Sequence, residues 1–216
     1  MSLITLKNVK KEYGKNQILF ENLSLEIEKG EFVGLVGKSG AGKTTLLNII
    51  GLITDISEGT ITIDGHQNLS MNGKNAMLLR RYTIGYLFQN YGLIEDESVL
   101  WNLKLALEYK KIKKEEKLKL INKYLKQFEL NDMLNKKVYQ LSGGEQQRIA
   151  IIKLILQGSQ VILADEPTSG LDKENELIVM KLLKELNEKG ITIIMVTHNM
   201  NLCDCFSRVI NVENFR

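Results

Sequence analysis

Residues Gly37-Lys38-Ser39-Gly40-Ala41-Gly42-Lys43-Thr44 constrain the fold of this chain more than any other stretch. They read G-x-x-x-x-G-K-[ST] and stand between a short apolar run, Phe32 to Val36, and a helical pattern carrying Leu46, Leu47, Ile49 and Ile50. Strand, loop and helix in that order are the context in which this spacing makes a phosphate cradle. The glycines let the backbone curl so that its N–H groups converge on one anion, and the helix that follows adds its positive end. Lys43 reaches the β- and γ-phosphates as a flexible point charge. The Thr44 hydroxyl is placed to ligand Mg²⁺, a hard cation that keeps several waters and needs few protein oxygens. Gly37 to Thr44, with Thr45 behind them, are therefore the expected contacts to a nucleoside triphosphate. The motif does not say which reaction follows.

Phe32 to Val36 is apolar throughout, as expected for a strand buried on both faces. Upstream, Leu3 to Lys10, Ile18 to Phe20 and Leu23 to Ile27 are strand-like, with turns at Gly14 and Lys29-Gly30. Downstream, Val161 to Asp165 reads as a strand, Lys173 to Lys189 as a helix and Ile191 to Val196 as a strand, with a short helix near Asn201 and a strand from Arg208 to Val212. Such alternation predicts an α/β domain with a parallel sheet. Residues 90–157 are expected to be helical and to form an insertion between two parts of the sheet, with Leu118, Ile121, Leu125 and Phe128 as one apolar stripe. A single proline, no internal repeat and no disordered linker argue for one domain.

Val161-Ile162-Leu163-Ala164 ends in two carboxylates, Asp165 and Glu166. Ligands of open α/β sheets sit beyond the carboxyl ends of the strands, so Asp165 is expected to hold Mg²⁺. Glu166 points elsewhere, because strand side chains alternate, and can orient and polarise an attacking water. Gln89 ends the run Ile84 to Phe88 and can offer its carbonyl to Mg²⁺ or bind that water; a plain loop residue is the other reading. His198, after the strand Ile191 to Val196, is either a γ-phosphate donor or a structural histidine.

Leu141-Ser142-Gly143-Gly144-Glu145 has capping-box spacing before a helix through Arg148 to Leu156. Capping does not explain two glycines in a first turn, each costing roughly 0.5–1 kcal/mol against alanine. Bare backbone at a helix start suits a second phosphate approach. One chain already has its phosphate loop, so a second anion site suggests a nucleotide shared between two copies.

Composition removes several function classes. Lys and Arg number 29 against 26 acids, a formal charge of +3, which does not suggest a protein that coats nucleic acid. Residues 110–119 alone carry six lysines and two glutamates and leave the rest of the chain at −1. A solvated helix face is the main reading of that run, and a membrane-surface or docking patch the other. Cys203 and Cys205 make neither a disulfide framework nor a zinc site, and reduced thiols are expected. No apolar run is long enough to cross a bilayer, and Met1 to Lys7 lacks the pattern of a signal peptide, so a cytoplasmic protein is expected.

In order, the glycine-rich loop, Gln89, Leu141-Ser142-Gly143-Gly144-Glu145, Asp165-Glu166, Ser169-Gly170-Leu171-Asp172 and His198 resemble an ABC transporter ATPase subunit over nearly all 216 residues. The wording from Arg80 to Ile94 resembles the macrolide-exporter and lipoprotein-release group, and more closely the ATPases paired with lactococcin 972-type bacteriocin exporters. The resemblance implies one α/β domain over 1–216: a P-loop NTPase parallel-sheet core with an N-terminal antiparallel β subdomain (1–89 and 158–216) and a helical insertion (90–157). It implies ATP and Mg²⁺ as cofactors, and Thr44, Gln89 and Asp165 as metal ligands. The catalytic residues would be Glu166, His198, Gln89 and Lys43. Two copies would pack head to tail, with Ser142, Gly143, Gly144 and Glu145 of one meeting the nucleotide of the other and Asp172 acting across the dimer. Tyr13 sits where the family places an aromatic that stacks on adenine; a strand aromatic packed in the sheet is the alternative.

The further partner implied is an integral membrane permease on a separate chain, docked near Gln89 and the insertion, which would hold the protein to the inner face of the membrane. Thr168-Ser169-Gly170-Leu171 stands where relatives often read Thr-Gly-x-Leu, and Asn199 where an aspartate commonly follows the histidine; neither removes a phosphate or metal contact. The end at Arg216 leads us to expect no C-terminal regulatory domain. A chromosome or repair ATPase would need a long coiled coil, a translation-associated relative two cassettes, and a small-molecule kinase would lack the Ser-Gly-Gly start. Export of a peptide, bacteriocin or lipophilic compound and mechanical signalling or cell-wall remodelling through a membrane partner use the same ATPase, and both stay open.

Overall fold

The computed structural model describes residues 2–14 and 17–215. The readings that touch Met1 and Arg216 lie outside them. Two sheets divide the strands. Strands β1 (Ser2–Tyr13), β2 (Gln17–Glu28) and β4 (Glu58–Ile63) form an antiparallel sheet in the order β2-β1-β4. Strands β3 (Phe32–Val36), β5 (Ile84–Leu87), β6 (Val161–Asp165), β7 (Thr192–Val196) and β8 (Arg208–Asn211) form a parallel sheet in the order β5-β6-β7-β3-β8. Six helices surround them among the described residues: α1 (Lys43–Ile50), α2 (Lys74–Tyr82), α3 (Val99–Ala106), α4 (Lys114–Gln127), α5 (Gly143–Gln157) and α6 (Lys173–Glu188).

The apolar parallel strands are explained by their two covered faces. In β6, Val161 and Leu163 pack toward α1 and the antiparallel sheet, whereas Ile162 and Ala164 pack toward α5 and α6. In β7, Ile194 and Val196 take the first side, Ile193 and Met195 the second. Alternation thus sorts one apolar run into two cores on either side of a sheet. The register Leu163↔Ile194 and Asp165↔Val196 between β6 and β7 brings the strands to a common carboxyl end, where the phosphate loop also lies.

Several expectations are corrected in detail. Ile18 to Phe20 and Leu23 to Ile27 are parts of one strand, β2, and β4 and α2 are additional elements. Between β5 and β6 lie three separate helices, α3, α4 and α5, with short 3₁₀ turns at Asn131–Met133 and Val138–Gln140. Ile121, Leu125 and Phe128 are buried as the stripe requires, but Leu118 is 39% exposed. It lies in the second turn of α4.

Candidate functional site

The phosphate loop is held open by glycine geometry and by its lysine. Gly40 and Gly42 have φ of 75° and 94°, values that glycine adopts without steric cost. Gly42 is also the N-cap of α1, and a Cβ there would lie 2.8 Å from the ring of Phe20 on β2. The buried Lys43 donates through Nζ to the carbonyls of Gly37 (2.8 Å) and Lys38 (2.9 Å). Its ammonium therefore stands at the mouth of the loop.

Two side-chain pairs face this loop from the ends of β6 and β7. Thr44 donates through Oγ1 to Asp165 Oδ1 at 3.2 Å. Burial raises the pKa of the Asp165 carboxyl above its ordinary value, with Glu166 adding to the rise and the Thr44 bond and Lys43 opposing it. Glu166 Oε2 lies 3.1 Å from His198 Nδ1. Glu166 has φ of 47°, a left-handed conformation that costs a non-glycine residue roughly 1–3 kcal/mol unless its surroundings enforce it. The enforcement is visible: its N–H donates to Val196 O at 3.1 Å and its carbonyl accepts from Ser169 N at 3.0 Å. Strain at this residue turns Asp165 and Glu166 to different partners, which strand alternation alone would not have located.

The cleft so formed measures about 490 Å³ and is lined by Tyr13, Gln17, Leu19, Gly37, Ser39, Gly40, Gly42, Lys43, Thr44, Thr45, Glu166 and His198. Of the loop residues, Ala41 is buried and Lys38 points its carbonyl at Lys43. Tyr13 is 46% exposed rather than packed within the sheet, with its hydroxyl 3.5 Å from Thr45 Oγ1 and Lys11 Nζ 4.8 Å from its ring centre. Gln17 and Leu19, both on β2, are lining residues that the sequence reading did not name. Alternation in the run ending at Phe20 was the available signal.

Other residues singled out in the sequence do not line this cleft. Gln89 is exposed, two residues beyond the end of β5. Ser142 to Glu145 and Asp172 stand at two other helix starts. Ser142 caps α5 reciprocally with Glu145: Glu145 N donates to Ser142 Oγ (3.3 Å), and Ser142 N donates to Glu145 Oε2 (2.7 Å). Burial tends to raise the Glu145 carboxyl, but the Ser142 bonds, with Lys136 and Arg148, outweigh it and hold the pKa below the ordinary value. Asp172 caps α6, accepting from Asn175 N at 2.8 Å. Capping thus accounts for Ser142, Glu145 and Asp172 within one chain, while Ser142 and Asp172 stay exposed.

A second cleft, of about 310 Å³, lies beyond β5 and beside α5, lined by Ile53, Tyr86, Phe88, Tyr91 and Lys153 among others. Phe88 is 40% exposed and stacks on Tyr86 with ring centres 4.1 Å apart.

Comparison with known proteins fits this geometry. The family model described as ABC transporter matches residues 20–169. The chain is 42% identical over 212 residues to the macrolide export ATP-binding/permease protein MacB of Campylobacter jejuni, aligning 98% of itself with 33% of that protein. It thus spans about a third of the length of such relatives. It is 41% identical to MJ1508, an uncharacterized ABC transporter ATP-binding protein of Methanocaldococcus jannaschii, over 98% of this chain and 96% of the other. Among solved structures it is similar to the dimeric, post-hydrolysis ATP-binding cassette MJ0796 bound to ADP and Pi, with a TM-score of 0.87, 38% identity, and coverage of 96% and 93%.

Proposed function

The chain belongs to the ABC transporter family as an ATPase cassette of the macrolide-exporter-like group, and from that premise we propose that two copies enclose ATP between them and drive a membrane permease carried on a separate chain. The observation that carries this reading is the division of phosphate-binding features within one chain. The loop, Asp165, Glu166 and His198 gather at the strand ends, while the glycine-bearing start of α5 lines no part of that cleft. A second copy supplies the missing half. The dimeric MJ0796 cassette supports the pairing.

Thr44 and Asp165 offer a hydroxyl and a carboxylate 3.2 Å apart, hard oxygens of the kind Mg²⁺ takes. Partial burial of Asp165, which penalises its charge, is the condition a cation would relieve. Held by Thr44 and Asp165, Mg²⁺ would supply positive charge against the triphosphate. Lys43 turns its ammonium from the loop carbonyls to the phosphates. Glu166 orients the attacking water and takes up its proton, and His198 donates toward the γ-phosphate. Tyr13 stacks on the adenine, a contact worth about 1–3 kcal/mol that tolerates any flat base. Ser142 and Gly144 of the second copy bind the same γ-phosphate, Gly143 and Glu145 complete that helix start, and Asp172 acts across the pair. Gln89 would offer its carbonyl to the ion, or hold the water, when the copies close.

Closure is favoured because ATP touches both copies only in the closed state, and hydrolysis removes that advantage. No helix among the described residues is long and apolar enough to cross a membrane. The proposed permease holds the protein at the membrane's inner face. The cleft around Tyr86 and Phe88, next to Gln89, is the proposed docking place. MacB carries both an ATP-binding and a permease function in its name, which supports export, here of a peptide, a lactococcin 972-type bacteriocin or a lipophilic compound.

Affinity purification from mild detergent tests the partner. An integral membrane protein is expected to accompany the tagged chain in a fixed ratio, and Phe88→Ala is expected to reduce its recovery several-fold. Recovery of the chain without any membrane protein would contradict the reading.

A further inference from the structure

The start of α6 is tied to the start of α5 through one side chain. Asn175 grips both oxygens of the Asp172 carboxylate: its backbone N–H donates to Oδ1 and its side-chain Nδ2 to Oδ2, each at 2.8 Å. The first of these bonds is an ordinary N-cap; the second is not required for capping. The other end of the same amide meets α5. Arg148 Nη1 lies 3.4 Å from Asn175 Oδ1. The amide is also seated against buried Gly144 so closely that a Cβ at residue 144 would overlap Oδ1 and stand 2.5 Å from Cγ. The second glycine of the Ser-Gly-Gly start therefore has a reason within its own chain: it leaves room for Asn175.

We propose that Asn175 is a positioning residue, locking Asp172 to the Ser142–Glu145 helix start so that both meet the second copy's nucleotide as one rigid unit. This rests on the shared-site reading above. Neither Asp172 nor the α5 start touches the cleft of its own chain, so the lock affects pairing and leaves nucleotide capture by the loop unchanged. Rigid placement matters because each group must reach the other copy in the same closing movement, and every degree of freedom left loose is lost at that moment.

The test uses the full chain carrying Glu166→Gln, with pairing in ATP followed by sedimentation. Adding Asn175→Ala is expected to leave ATP affinity, measured at protein concentrations too low for pairing, within about twofold and to raise the protein concentration for half-assembly by about tenfold, as loss of a charge-assisted bond and its contacts predicts. Asn175→Asp keeps the size of the side chain, so the fold is retained, but replaces the donor facing Asp172 with a like charge; the same split is expected. Unchanged assembly in both variants, or an equal loss of ATP affinity, would overturn the role. Failure of the Glu166→Gln parent itself to pair with ATP would instead overturn the shared-site reading, and this role with it.

Discussion

Glu166→Gln is expected to slow ATP hydrolysis by about 10²- to 10⁴-fold, the range general-base groups contribute, while leaving ATP affinity nearly unchanged. The substitution keeps side-chain length, and the new amide can still bond His198, 3.1 Å away in the native chain. The left-handed turn at residue 166 rests on backbone bonds to Val196 and Ser169, which the substitution does not touch. What is lost is the capacity to accept a proton. Binding depends on the loop, and Glu166 lies across the cleft at the end of β6. Phosphate release measured at saturating ATP, beside a binding titration, separates the two. Native turnover in this variant would remove Glu166 from its role.

Lys43→Ala is expected to act in the opposite way, weakening ATP binding by about 10- to 100-fold, the equivalent of a charge-assisted hydrogen bond of about 1.5–3 kcal/mol. Two effects combine. The variant loses the ammonium proposed to meet the phosphates, and the free loop loses the contact from Nζ to the carbonyls of Gly37 and Lys38. Undiminished affinity in a calorimetric titration would count against the loop as the phosphate cradle.

What could be read from the sequence was mostly what is contiguous in it. The phosphate loop needs eight neighbours and a strand before it, and all are consecutive. The apolar parallel strands were legible for the same reason, since burial on both faces leaves an unbroken run. By contrast, β4 was not read: it is an edge strand, with Glu58, Gly59 and Thr60 exposed and Gly59 close against Asn8, so its apolar signal shrinks to Ile61 and Ile63. The Glu166–His198 pair spans 32 positions and is set by the register of β6 on β7, which no local pattern encodes. Leu118 shows the limit of periodicity, because a helical stripe marks a face and not how much of that face another element covers. Gly144 shows a second limit. Its small size suggested the approach of a phosphate, and the structure seats Asn175 of the same chain against it.

In the proposed function each nucleotide is caged by two copies, the loop of one against the α5 start of the other. Cross-linking tests it most directly. Chains with Cys203 and Cys205 replaced by serine and carrying Glu166→Gln would be prepared with Ser39→Cys or with Ser142→Cys, both exposed positions in the single chain, then mixed and treated with a short thiol–thiol reagent. A covalent pair made of one chain of each kind is expected, formed with ATP and not without nucleotide, and absent when either chain is treated alone. No mixed pair in the presence of ATP, or a mixed pair formed equally well in its absence, would contradict it.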